Sequence, residues 1–219
     1  MANRWLQRLF FALFVRPLVA VGLGLNVRDG GRLPETGPAI LVANHNSHLD
    51  TLVLMTLLPG RKLHLLRPVA AEDYFCRNKW LHWFATRVMN IIPLSRDPKA
   101  AAGHPLAPVR ERLEAGEIVI LFPEGSRGEP EQLADFQSGI AHLAKMCPDV
   151  PVVAVWMHGL GKALPKGDWV FVPFFCDVFV GESWVWPGKK AEFMETLTER
   201  MAGLRDGCEA ALPDEHAMA

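Results

Sequence analysis

The sequence predicts an α/β fold: a single layered domain with a mostly parallel central sheet flanked by helices, plus an N-terminal membrane-interfacial helix. Three observations point to it. Short, continuous apolar runs such as Ala39-Ile40-Leu41-Val42-Ala43 and Ile118-Val119-Ile120-Leu121 end in polar loops, as strands buried on both faces do. Helical stretches alternate with these runs at the spacing of β-α-β units. The chain has 219 residues, half of them apolar, which suits one substantial core and is too short for two ordinary domains.

Residues 9–15 are apolar, Arg16-Pro17 interrupts, and residues 18–25 are apolar or glycine again. In a membrane span a central arginine costs about 2.5–3.5 kcal/mol, against about 0.3–0.6 kcal/mol gained per apolar residue, so spanning is near break-even. An interfacial helix avoids the conflict: Arg4 and Arg8 reach lipid phosphates while Trp5, Leu6, Leu9, Phe10, Leu13 and Phe14 enter the acyl boundary. Packing on the protein's own core and a cleaved signal peptide are the alternatives. Residues 1–28 are therefore read as a basic, hydrophobic membrane-associating segment, and 29–219 as the folded domain.

After the turn-rich stretch 28–38, residues 39–43 read as a strand and 49–58 as a buried helix stopped by Pro59-Gly60. A strand is expected over 62–69, a helix over 73–88 and a strand over 90–94. Further along, 106–114 reads as a helix, 117–122 as a strand, 138–146 as a helix and 150–156 as a strand. Late strands are expected over 169–175 and 178–180, and an amphipathic helix over 189–204. Trp80, Trp83, Phe84, Phe171, Phe174 and Phe175 read as core-filling aromatics.

The net charge of −1 argues against a nucleic-acid partner, but it hides an asymmetry. Arg4, Arg8, Arg16 and Arg28 stand in residues 1–28 without an acid, which suits a membrane surface with anionic lipids. Cys76, Cys147, Cys176 and Cys208 form no CxxC pair and read as small buried hydrophobes in a reducing compartment.

Two loops at strand ends carry chemistry. The first, Asn44-His45-Asn46-Ser47-His48-Leu49-Asp50, sets an imidazole at a strand end and a carboxylate five residues on, in the first turn of a helix. A hydrogen bond between them fixes the histidine tautomer and leaves the other ring nitrogen basic. The second, Phe122-Pro123-Glu124-Gly125-Ser126-Arg127-Gly128, offers a planar cation in Arg127 for an anion and backbone N–H groups near Gly125 for an oxyanion. A structural Glu124–Arg127 ion pair is the alternative there.

Together, and in this order, the two loops resemble the lysophospholipid acyltransferase family, the 1-acylglycerol-3-phosphate acyltransferases and their relatives. The family's NHxSxxD motif reads Asn44 to Asp50 and its FPEGTR motif reads Phe122 to Arg127, while Val150-Pro151-Val152 resembles its valine-proline strand. The likeness covers residues 39–156. It implies transfer of a fatty acyl group from acyl-CoA or acyl-ACP to a lysophospholipid hydroxyl, in phospholipid biosynthesis or remodelling. Residues 29–219 would then be the acyltransferase domain, at the cytoplasmic face of the inner or plasma membrane, with acyl carrier protein among its partners. It assigns catalysis to His45 and Asp50, and substrate binding to Asn44, Ser47, Arg96, Glu124, Gly125, Ser126 and Arg127, with no metal and no cofactor beyond the thioester co-substrate.

Two departures from the family pattern fall where the acceptor head group is expected. The second motif survives as Asn90-Ile91-Ile92-Pro93-Leu94-Ser95-Arg96, keeping the arginine but losing the glycine and the aromatic, and Ala71 stands where many members carry a lysine. The departures favour, as an alternative acceptor, a lysophosphodiester or a lyso-aminolipid. A metal-dependent hydrolase built on His45, His48 and Asp50, and a non-catalytic lipid-binding protein, are the rival classes.

Overall fold

The computed structural model describes residues 3–75, 78–95, 104–125, 134–163 and 172–212, with the side chains of Tyr74 and Phe75 left aside. Its centre is β2 (Ala39–Ala43), in which all five residues are buried. The run has no alternation because both faces are covered. Ala39, Leu41 and Ala43 enter one apolar cluster, and Ile40 and Val42 enter the other. Parallel to β2 run β5 (Ile118–Leu121) on one side and β6 (Val152–His158) on the other, with the same division of side chains. This two-sided burial is the sequence signature of a parallel sheet.

The described strands form one seven-stranded sheet in the order β1-β7-β6-β2-β5-β3-β4. β3 (Leu66–Ala71) and β4 (Ile92–Leu94) extend the parallel part. At the other edge β7 (Phe174–Trp184) runs antiparallel to β6, and β1 (Leu23–Arg28) is parallel to β7. The sheet is thus mostly parallel and flanked by helices, as the sequence implies.

Helix α1 runs from Arg4 to Gly22 and α2 over Leu49–Thr56, both against the first cluster. Next come α3 (Glu72–Phe75) and α4 (Lys79–Arg87), then α5 (Ala107–Glu114), α6 (Gly139–Met146), the short α7 (Leu160–Ala163) and the long α8 (Lys190–Ala211). Of these, α5, α6 and α8 cover the second cluster.

Several boundaries differ from expectation, each for a local reason. Residues 23–28 belong to the sheet as an edge strand. Of them only Leu23 is buried, so the strand lacks the buried-run signature and merges with the apolar stretch before it. The strand expected from residue 62 begins at Leu66, because Gly60–Leu65 winds as a 3₁₀ segment after Pro59. The helix expected over 73–88 is two helices: Asn78 is extended and its side chain accepts the Trp80 N–H at 2.9 Å, capping α4. The two late strands are one, Phe174–Trp184, with residues 169–171 outside the described residues. The terminal helix continues to Ala211.

Helix α1 faces two ways. Gln7, Phe11, Val15 and Val19 are buried, one every four residues, and Leu23 at the start of β1 continues the series. Four α-helical steps of about 100° overshoot a turn by about 40°, so such a stripe drifts around an ordinary helix. The wider i→i+5 turns over Phe11–Val15 and Leu18–Gly22 hold it on one face. The opposite face presents Trp5, Leu9, Leu13, Phe14, Leu18 and Val21 outward. Phe11→Ala is expected to cost about 3–5 kcal/mol, as a deleted core aromatic does. Leu13→Ala should cost less than about 0.5 kcal/mol, as a surface change does. Urea unfolding followed by circular dichroism separates the two, and equal losses would mean the helix does not dock through this stripe.

Candidate active site

Because Val42 pairs with Leu121 and Ala43 with Val155, the chain leaves β2, β5 and β6 at one carboxyl edge of the sheet. Ligands of open α/β sheets gather at such edges. The first loop starts with Asn44, whose side chain behaves as a strand residue. Its Nδ2 donates to the Met157 carbonyl at 2.8 Å and its Oδ1 accepts the Met157 N–H at 2.8 Å, both groups lying on β6. Asn46 Nδ2 donates to the same carbonyl at 3.2 Å.

The loop then wraps the carboxylate of Asp50 in the first turn of α2. One oxygen, Oδ2, accepts the Asn46 N–H at 2.6 Å and the Ser47 N–H at 2.8 Å, and lies 2.9 Å from His45 Nδ1. Asp50 is fully buried, so charge on Oδ2 is met by N–H donors rather than water, while Oδ1 is buried without a hydrogen-bond partner among the described residues. A carboxylate only accepts, which puts the imidazole proton on Nδ1 and leaves Nε2 as the ring's acceptor.

The second loop holds the same histidine from the other side. Phe122 stacks on the His45 ring at 4.1 Å between centroids and 21° between planes. Glu124 Oε1 accepts the His45 backbone N–H at 3.3 Å. The turn is closed by the Gly125 N–H donating to the Phe122 carbonyl at 3.1 Å. Gly125 has φ +73°, in the left-handed region that favours glycine.

His45 and Phe122 line a cavity of about 760 Å³. Its walls are apolar and come from α1 (Phe10), α4 (Leu81, Phe84), the segment before β4 (Met89, Ile91) and Leu106. Ala71, at the end of β3, also lines it. No lysine or arginine is among the described lining residues. Arg67, on the same strand, is bound through Nε to Glu117 Oε2 at 2.6 Å and through Nη2 to Oε1.

The structure brings His45, Asp50, Glu124 and Gly125 together. Asn44 and Ser47 are fully buried and bonded to protein groups that shape the loop. Glu124 holds the backbone of His45, and the Gly125 N–H is engaged within its own turn. Arg96, Ser126 and Arg127 lie outside the described residues. Among the described residues, no group of three His, Cys, Asp or Glu is placed to hold a metal ion. Cys147, Cys176 and Cys208 are buried thiols outside any disulfide, and burial pushes the Cys147 thiol up from its ordinary range. Trp80 and Trp83, expected in the core, are exposed, Phe175 is exposed too, and Phe84 lines the cavity. Sequence reasoning also missed the Phe122 stack, although Phe122 directly follows a recognisable strand.

Fold and site together define an α/β protein with a carboxylate-oriented histidine at the sheet's carboxyl edge, facing an apolar cavity. The chain belongs to the acyltransferase family, whose family model matches residues 24–158. Among curated relatives, it is 29% identical over 72% of its length to the lyso-ornithine lipid O-acyltransferase of Rhizobium meliloti, and it covers 50% of that protein. It is 27% identical over 82% of its length to the 1-acyl-sn-glycerol-3-phosphate acyltransferase alpha of Bos taurus, covering 61% of it. The chain thus spans between half and two thirds of these relatives. The crystal structure of the 1-acyl-sn-glycerophosphate acyltransferase of Thermotoga maritima shares the fold, with a TM-score of 0.76 over 98% of this chain and 86% of that one, at 21% identity.

Asn44→Ala would orphan the buried Met157 N–H, at about 1–3 kcal/mol, and leave the Met157 carbonyl with Asn46 Nδ2 alone. A thermal melt should show the loss. A variant as stable as the parent would mean that β6 does not hold this loop.

Proposed function

We propose that this chain transfers a fatty acyl group from an acyl thioester, on coenzyme A or acyl carrier protein, to the free hydroxyl of a lysophospholipid such as 1-acylglycerol-3-phosphate. The observation that carries this reading is the His45–Asp50 pair facing a cavity with apolar walls, the combination a deprotonated alcohol and a long hydrocarbon chain require. A hydroxyl is a poor nucleophile until a base removes its proton during attack. His45 Nε2 takes that proton as the acceptor oxygen bonds to the thioester carbonyl, while Nδ1–H stays on Asp50 and the carboxylate stabilises the imidazolium. When the tetrahedral intermediate collapses, the C–S bond breaks and the thiolate leaves, taking the proton back from Nε2. No metal enters these steps. By motif, Arg96 and Arg127 are assigned to the acceptor's anion, and Ser126 to the same loop.

The outward apolar face of α1, flanked by Arg4 and Arg8, supports docking on the cytoplasmic face of a membrane with anionic lipids. A span would draw Phe11, Val15 and Val19 out of the core, and β1 begins one residue after α1 ends. An interfacial helix keeps both faces satisfied.

His45→Ala is expected to lower acyl transfer by about 10²- to 10⁴-fold with an unchanged far-ultraviolet spectrum, and Asp50→Asn by less, because Asp50 orients the base and does not itself move the proton. Turnover with a labelled acyl donor decides it. Near-native activity of His45→Ala, where chemistry limits the rate, contradicts the mechanism.

A second reading concerns the acceptor. With Ala71 in the cavity wall and Arg67 held by Glu117, a phosphomonoester misses one charge-assisted contact, which supports a lysophosphodiester or lyso-aminolipid acceptor. The Rhizobium meliloti relative is named for a lyso-ornithine lipid. Ala71→Lys should then raise kcat/KM for lysophosphatidic acid about tenfold or more relative to the other acceptors, the value of one such contact. A parent enzyme strictly selective for lysophosphatidic acid, with that selectivity unmoved by Ala71→Lys, returns the reading to the phosphatidate-forming reaction.

A further inference from the structure

We infer that α4 is a second membrane-contacting element, and that the cavity opens between α1 and α4 toward the bilayer they share. On this surface Trp80 is 81% exposed, Trp83 46% and Leu81 38%. Tryptophan exposed to this degree is costly in water and favoured at the lipid interface, where the ring lies among acyl carbons and the N–H stays wet. The two helices form one body. Phe10 of α1 meets Phe84 of α4 edge-on at 5.1 Å, and the Asn3 N–H donates to the Arg87 carbonyl at 3.1 Å. Both also line the cavity, through Phe10 on one side and Leu81, Phe84 and Ala85 on the other.

Charge identifies the occupant. Helices α1 and α4 carry Arg4, Arg8, Arg16, Lys79 and Arg87 and no carboxylate, and exposed Arg61 stands beside Arg8, whose Nη2 donates to the Arg61 carbonyl at 3.2 Å. The nearest acids in sequence are Asp29, after β1, for α1, and Glu72 and Asp73, on α3, for α4. An apolar strip between cations fits the acyl boundary and phosphates of an anionic bilayer. A cavity wall shared by both docked helices lets the hydrocarbon chain of a membrane lipid reach His45 without crossing water.

This inference rests on the membrane-surface reading of α1, and the test separates the two. Partitioning of the full chain is measured on vesicles of mixed phosphatidylcholine and phosphatidylglycerol. The variants are W80S/W83S on α4, L9S/L13S on α1, and V185S on the α8 side as a control, with circular dichroism to confirm folding. W80S/W83S should lower the partition coefficient about tenfold and L9S/L13S comparably, while V185S leaves it unchanged. Lipids brominated in their acyl chains should quench the parent's fluorescence, and in a W5F background, which removes the tryptophan of α1, W80F/W83F should remove most of the remaining quenching while partitioning persists. A normal partition coefficient for W80S/W83S beside a lowered one for L9S/L13S overturns the role of α4 alone. No partitioning by the parent overturns the membrane surface for both helices. If W80S/W83S instead abolishes self-association in sedimentation and leaves partitioning intact, the face belongs to a second copy of the chain and the inference fails.

Discussion

A buried carboxylate needs donors in place of water, and in this protein the donors gathered on one oxygen of Asp50 organise the carboxyl edge of the sheet. Asp50 Oδ2 gathers two backbone N–H groups and the imidazole of His45. To deliver them the chain must turn tightly after Ala43 and enter α2 within a few residues. Asn44 makes that turn possible by bonding to the backbone of β6, and Glu124 and Phe122 close on the histidine from the end of β5. Three adjacent strands thus meet in one hydrogen-bonded unit.

The same logic of two faces runs through α1. One side belongs to the core, set by a four-residue stripe and the wide turns that keep it aligned, and the other presents exposed apolar side chains. Since Phe10 lines the cavity and Phe84 packs against Phe10, the element that faces outward also walls the site. Anchoring and substrate access become one structural question, and a long apolar substrate is met where it resides.

Much of this was legible in the sequence where burial is two-sided. β2, β5 and β6 are unbroken apolar runs, and the loops that follow them carry the family's motifs, so fold class, strand ends and the His45–Asp50 pair were all readable. The edges were not. β1 buries only Leu23, which makes it look like more of the preceding apolar stretch, and the expected division at residue 28 passes through the sheet. The break before α4 depends on a single capping side chain, Asn78, that periodicity does not weigh. Trp80 and Trp83 look like core because a sequence records how apolar a residue is and not which way it faces. Nor does the sequence record that Asn44 and Ser47, polar residues in a reactive loop, are buried and bonded to protein groups.

The central claim is that Asp50 holds the proton on Nδ1 of His45 and leaves Nε2 bare. Nitrogen-15 NMR of imidazole-labelled protein near neutral pH, with the His45 signals assigned by loss in His45→Gln, reads the tautomer directly. The account predicts a neutral His45 protonated at Nδ1, with that proton exchanging slowly and shifted downfield by the carboxylate, and the shift lost in Asp50→Asn. A neutral His45 protonated at Nε2 would contradict it, because the ring would then present a donor where the reaction needs a base.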